Sequence, residues 1–320
     1  MSKILIILFL IVCNASFAQI IRGTVLDSES KEPIENAVVY VNGTSVGSYS
    51  NRQGYFELDV AKVYPLPITF SALGFISKSL PNYETDNPMI IYLAPKIFEL
   101  NEVVIKGNSK SRNFYLKTFK NAFLGNTFNA ARCKIENEYD IVFSYDDNGT
   151  LKAFANKPIL IKNSVLGYNI IYYLDKFIYH KESEHMILHG TIIFKEFEDL
   201  RKSEKSKYLR RRNSAYMGSR MHFIRELWNN NLEESGFTTK SVINRKSIDT
   251  ISLYQSDNLK FIVGKGTIFI SYYSKIPDTW VYVLKELVII DKTGFFDPSG
   301  LSWQGEMARQ RVGDMLPYDY

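Results

Sequence analysis

Between residues 20 and 95 short apolar runs alternate with polar turn signals, which predicts a series of brief strands. Residues 20–27 read as a strand, Lys31-Glu32-Pro33-Ile34 as a turn and residues 37–41 as the next strand. Asn42-Gly43 then offers the positive φ of a tight reversal. A loop around Asn51-Arg52-Gln53-Gly54 leads into a strand at 55–60, and further strands are predicted at 67–72, 78–80 and 89–93. Strands this short, spaced by roughly 8 to 15 residues, favour an antiparallel sandwich.

The pattern changes beyond residue 108. Residues 110–123 carry Phe114, Phe119, Ala122 and Phe123 among lysines and asparagines, a weak helical period stopped by Gly125. Residues 134–145 read as one strand, and Asp146-Asp147-Asn148-Gly149 is a strong hairpin turn. Strands follow at 151–155, 159–162, 168–180 and 185–197, the third alternating aromatic and polar residues as if one face were wet. Residues 201–232 predict a helix in which Met217, Met221, Ile224 and Trp228 share a face, with Ser219 able to cap a helix starting there. Strands at 259–263, 267–273 and 281–290 complete an α+β domain with a mainly antiparallel sheet. There is no βαβ alternation and no internal repeat.

Residues 1–18 have the three parts of a secretory signal peptide: Lys3, the apolar run 4–12, and small residues Ser16 and Ala18 before the expected cut. The run is shorter than the ~20 residues a membrane span requires. Cys13 opens a rival reading as a lipidated lipoprotein residue, against which stands bulky Val12 where such signals carry a small residue. Once the leader is removed Cys133 is the one cysteine left, so no intrachain disulfide can form. Beside Ala130 and Ala131 it reads as packing in preference to a nucleophile. The net charge of +5 drops by one with Lys3, and this mild excess in an exported chain argues against nucleic acid as the partner. Aromatic residues make up 14% of the chain, which suits half-buried sheets and surfaces that grip partners or glycans.

Three stretches carry a family resemblance. They are Ile21-Arg22-Gly23-Thr24-Val25-Leu26-Asp27, Pro33-Ile34-Glu35-Asn36-Ala37-Val38-Val39-Tyr40-Val41 and the run from Gly47 to Phe56 with Gly54-Tyr55-Phe56 at its end. With Ile68-Thr69-Phe70-Ser71-Ala72-Leu73-Gly74-Phe75 they resemble the carboxypeptidase-regulatory-like domain, Ser50 standing where that family usually has Thr. The resemblance implies an immunoglobulin/transthyretin-like β-sandwich over residues 19–95, whose glycines serve turns and close sheet approach. Residues 97–107, with Glu102-Val103-Val104-Ile105, resemble the segment joining this domain to the plug of TonB-dependent receptors, yet no barrel pattern follows. That strip reads as an edge strand and linker (96–110), or as a strand offered to a partner's sheet. Pro158-Ile159-Leu160-Ile161, Leu166-Gly167-Tyr168, Ala215-Tyr216-Met217-Gly218-Ser219 and residues 305–320 resemble Bacteroidota envelope proteins in which such a domain precedes a second domain, here 111–320. The last stretch reads as a short amphipathic helix stopped by Pro317.

Candidate chemistry is sparse. His180, His185 and His189 fall within ten residues, but His185 and His189 on one strand would stand about 13 Å apart, too far to share an ion. The cluster Lys202, Lys205, Lys207, Arg210, Arg211 and Arg212 can hold lipid phosphates at a membrane surface, although Glu196, Glu198 and Glu204 nearby fit a solvated face. His222, Arg225 and Glu226 lie together without any nucleophile motif. Asp249-Thr250-Ile251 fits a short pattern resembling a Bacteroidota O-glycosylation acceptor at Thr250. No catalytic, cofactor-binding or metal-ligating residue is assigned. The expectation is a non-catalytic envelope protein, periplasmic or outer-membrane associated, whose second domain binds a protein, glycan or lipid. The alternative is a secreted hydrolase drawing on scattered acids such as Glu136, Glu138 and Asp140.

Overall fold

A computed structural model describes residues 19–63, 66–84, 87–95, 111–146, 148–183, 185–243, 246–248, 251–256, 259–273 and 275–320. The leader with Cys13, the strip 97–107 and Thr250 lie outside the described residues. The chain is mostly β, with several antiparallel sheets and four helices among the described residues. It divides into two compact units, Met1–Asn42 with Val46–Phe98, and Gly43–Ser45 with Glu99–Tyr320.

The first unit contains strands β1 (Ile20–Asp27), β2 (Val38–Val41), β3 (Gly47–Tyr49), β4 (Tyr55–Asp59), β5 (Ile68–Ser71), β6 (Lys78–Leu80) and β7 (Met89–Leu93). They form a three-stranded sheet β4-β1-β7 and a four-stranded sheet β3-β2-β5-β6. Alternation sends Ile21 and Val25 of β1 and Phe56 and Leu58 of β4 inward, where Phe56 meets Phe70 of the other sheet edge-to-face at 5.4 Å. Ser50 is buried and ties the turn before β2 to the loop before β4. Its hydroxyl accepts the Ala37 N–H at 2.8 Å and donates to the Ile34 carbonyl at 2.6 Å. One expectation needs correcting: β7 runs parallel to β1, a pairing that a two-residue hairpin cannot make. Gly23 permits this approach, since a Cβ there would sit 2.2 Å from the Met89 carbonyl oxygen.

The second unit begins with helix α1 (Arg112–Leu124), which buries Tyr115, Phe119, Ala122 and Phe123 on one face. That face lies on a six-stranded sheet built from β8 (Cys133–Ile135), β9 (Ile141–Tyr145), β10 (Thr150–Ala155), β11 (Ile159–Asn163), β12 (Tyr168–His180) and β13 (His185–Glu196). Phe119 touches Phe143 of β9 and Phe177 of β12, with ring centroids 5.6 and 4.8 Å away, while Phe123 meets Tyr172 of β12 at 4.9 Å. β12 is the spine: β13 pairs along its whole length on one edge, and β11 and β10 share the other. A bulge at Asp175 inserts one residue, so Phe177 returns to the buried face that Leu174 left. The single strand predicted over 134–145 is instead two, β8 and β9, placed far apart in the sheet. Asn137 causes the break, its amide donating to the Pro158 carbonyl at 2.9 Å and accepting the Leu160 N–H at 2.8 Å.

The predicted helix over 201–232 is also two, α2 (Lys202–Tyr216) and α3 (Arg220–Asn229). Gly218 at φ +75° turns the chain between them, and the Ser219 hydroxyl caps α3 by accepting the His222 N–H at 3.1 Å. Met217 therefore falls outside the apolar face expected for it and is exposed. Helix α3 packs Phe223, Ile224 and Leu227 onto β14 (Phe237–Ile243), β18 (Gly266–Tyr272), β19 (Lys275–Val283) and β21 (Leu301–Gly305), which with β15 (Lys246–Ile248) form a five-stranded sheet. A smaller sheet of β16 (Leu253–Ser256), β17 (Leu259–Val263) and β20 (Leu287–Ile290) closes the same core. The strand predicted over 281–290 is thus shared between two sheets, the turn fixed by the Leu284 N–H on the Gly300 carbonyl at 2.8 Å.

The C-terminal stretch is not the continuous amphipathic helix that its sequence predicts. It forms a four-residue helix α4 (Glu306–Arg309) and a 3-10 turn over Val312–Asp314. Side chains take up its carbonyls: Arg220 the oxygen of Gln310 at 2.7 Å, Asn163 that of Gly313 at 2.9 Å, and Arg225 those of Tyr318 and Tyr320 at 3.0 and 3.2 Å. Replacing Phe119 by Ala removes the ring at the centre of the α1–sheet contact. It is expected to cost about 3–5 kcal/mol of stability, measured as a lower urea midpoint.

Candidate ligand-binding face

Alternation along β14, β18, β19 and β21 sorts each strand into two faces. Phe237, Ile268, Ile270, Val281 and Val283 turn inward to the core under α3. The opposite face presents Lys240, Phe269, Trp280 and Gln304, which the register places directly across from one another as one row over four strands. The next row outward is Val242, Thr267, Tyr282 and Ser302. Phe269 is 39% exposed, Trp280 37% and Val242 42%, so the rings at the centre of the face are open to solvent. At one end the Tyr282 hydroxyl donates to Gln304 Oε1 at 3.3 Å, which orients the amide beside Trp280. At typical strand spacing the row from Lys240 to Gln304 spans roughly 14 Å. Two neighbouring aromatic residues flanked by an ammonium and an amide offer apolar surface with hydrogen-bonding groups at both ends.

The basic cluster is divided by the fold. Lys205, Lys207 and Arg210 are exposed on α2, whereas Arg211 reaches back to the Val165 carbonyl at 3.4 Å. Arg212 corrects the sequence reading, for it is buried and unavailable to a membrane surface. Its guanidinium donates to the carbonyls of Leu166 and Gly167 at 2.7 and 3.3 Å and to Glu196 at 2.8 Å. It also lies 4.0 Å over the Tyr168 ring. Glu204 pairs with Arg201 at 3.1 Å.

His222 is buried between Tyr216, Phe237 and Tyr272, its Nδ1 accepting the Gly218 N–H at 3.0 Å. Burial lowers its pKa, against the opposing pull of Glu226, so the ring is a neutral structural acceptor. Glu226 is held by Ser235 at 2.7 Å and Asn231 at 3.0 Å, and Arg225 is spent on main-chain oxygens. His222 Nε2 lies 3.9 Å from Glu226 Oε1, and each of the three side chains has a structural partner. Glu138 is paired with Lys120 and Asp140 with Lys157, while Glu136 is exposed. His180 and His185 face each other across the β12–β13 hairpin, and His189 stands opposite Lys176. The aromatic row was readable as Trp280-Val281-Tyr282-Val283, where rings and valines alternate, but nothing local showed that Phe269 would stand beside Trp280.

Cys133 donates its thiol hydrogen to the Asn129 carbonyl at 3.5 Å, and its pKa is pushed up to about 12, mainly by burial and further by Asp314. The thiol thus stays protonated throughout the neutral range. Native Cys133 is expected to react with a thiol reagent at pH 8 more than about a hundredfold slower than in the urea-unfolded chain. Replacing Arg212 by Ala strands two buried carbonyls and is expected to destabilise the protein by about 3 kcal/mol. Lys205→Ala should stay within about 0.5 kcal/mol, both read from urea unfolding.

A comparison with curated proteins finds no match to the chain. Residues 21–105 match the family model of the CarboxypepD_reg-like domain. The match takes in the Gly23 approach, the Ser50 turn lock and all seven strands of the first unit. The sandwich-like N-terminal unit is a CarboxypepD_reg-like domain.

Proposed function

We propose that this protein is a non-catalytic accessory protein of the cell envelope that binds a glycan on the outer face of β14, β18, β19 and β21. The Phe269–Trp280 pair carries this reading. The two residues are cross-strand neighbours on the outer sheet face, each more than a third exposed, with Lys240 and Gln304 in the same row. Sugar rings are flat, with apolar C–H faces and a hydroxyl rim, which suits ring faces bordered by hydrogen-bonding groups better than a lipid tail does. The N-terminal sandwich, of immunoglobulin/transthyretin-like type, serves as a docking or spacing module. Among its described residues no acidic side chain is buried.

The leader at residues 1–18 directs export, placing the protein in the periplasm or at the outer membrane, with Cys13 as the residue that lipidation would use. Lys205, Lys207 and Arg210 give α2 a basic surface suited to an anionic membrane, a contact that complements glycan binding. The hydrolase alternative finds no support in Glu136, Glu138 and Asp140, two of which are tied to lysines.

Trp280→Ala and Phe269→Ala are surface changes that should leave the circular dichroism spectrum and melting temperature near wild type. Native affinity electrophoresis through gels containing soluble cell-wall or capsular polysaccharides should show retarded migration of the wild type. Each variant should lose that retardation, with binding weakened at least about tenfold. Equal retardation of wild type and the double variant would overturn the reading.

A further inference from the structure

The tip of the β12–β13 hairpin brings together two histidines that are five residues apart in sequence. His180 and His185 are the last register pair of the hairpin, with ring centroids 6.2 Å apart and planes inclined by only 28°. Thr150, itself buried in β10 opposite His180, shares a hydrogen bond with His180 Nδ1 at 3.2 Å. That bond engages Nδ1 and leaves Nε2 as the nitrogen for a metal, the arrangement in which a supporting hydrogen bond orients a metal-ligating histidine. His185 is exposed and places its ring on the same face.

We propose that His180 and His185 form a two-imidazole site for a late first-row divalent ion, Cu²⁺, Ni²⁺ or Zn²⁺. Imidazole nitrogen binds these ions at about 2.0–2.1 Å, which places each ring centroid ~3 Å from the metal and the two centroids ~5–6 Å apart. The observed 6.2 Å lies just above that range, and exposed His185 is the ring that would turn to aim its nitrogen at the ion. Among the described residues no group of three or more His, Cys, Asp or Glu gathers there, so the site proposed is one of two imidazoles. Ligand type selects the ions that favour nitrogen, and the Irving–Williams order places Cu²⁺ first. His189, on the same strand but opposite Lys176, lies outside the pair.

The test is isothermal titration of the whole mature chain with CuCl₂ and ZnCl₂, alongside the electron paramagnetic resonance spectrum of the Cu²⁺ form. One ion per chain is expected, tighter for Cu²⁺, with a spectrum of two nitrogen ligands. His180→Asn and His185→Asn should each weaken binding at least about tenfold, Thr150→Val by a smaller factor, and His189→Asn not at all. Circular dichroism confirms that each variant remains folded, and melting temperature with and without metal gives a second readout. The proposal is overturned if the double variant His180→Asn/His185→Asn binds as wild type does. It is equally overturned if His189→Asn removes as much binding as His180→Asn, or if the wild type takes up no ion.

Discussion

Every buried carbonyl and N–H of this chain needs a partner, and in the second unit ladders and helices do not provide them all. Side chains fill much of the gap. Arg212 takes the carbonyls of Leu166 and Gly167, Arg220 that of Gln310, Arg225 those of Thr293, Tyr318 and Tyr320, and Asn163 that of Gly313. These bonds let the C-terminal stretch run as an irregular strap over apolar cores. Asp314 answers in the same way from the strap itself, accepting from Thr127 and Asn129 at 2.9 Å each, although burial raises its pKa. The Trp303 indole N–H is the exception among the described residues. It is buried against Phe223 and Phe296 without a partner, so ring packing there outweighs one lost hydrogen bond.

With the backbone satisfied this way, each large sheet of the second unit can commit one face to a helix. The six-stranded sheet buries its inner face under α1, and the five-stranded sheet buries its own under α3. Strand alternation then fixes what is left on the other faces: the Lys240–Phe269–Trp280–Gln304 row on one sheet, and the His180–His185 pair at the hairpin tip of the other. Both features lie on sheet faces, and neither requires a cleft. Rigid strands hold such side chains at set spacing without the entropy cost that a loop site would carry.

Local chemistry was legible wherever a short-range signal decided the outcome. The strands of the CarboxypepD_reg-like domain other than the short β3, the α1 face ending at Gly125, the Ser219 cap and the long 168–180 strand all follow from residues close in sequence. Alternation in Trp280-Val281-Tyr282-Val283 likewise marked which side chains point outward. Most of the misreadings arose where a distant partner overrode a local period, and the helix break where one glycine did. Asn137 divides a strand by bonding to residues 158 and 160, Gly218 divides a helix, and the tail loses its helix because Arg220, Asn163 and Arg225 hold its carbonyls.

The sequence by itself therefore determined the β-rich class, the N-terminal domain and the alternation that gives each strand its two faces, because a period of two residues is a property of the chain. Only the tertiary structure decided which strands are neighbours. Neighbourhood turns Phe269 and Trp280 into one surface, sets His180 opposite His185, and withdraws Arg212 from the basic cluster to bind carbonyls 45 residues and more away. Register between strands depends on contacts made across the whole fold, and no local pattern encodes it.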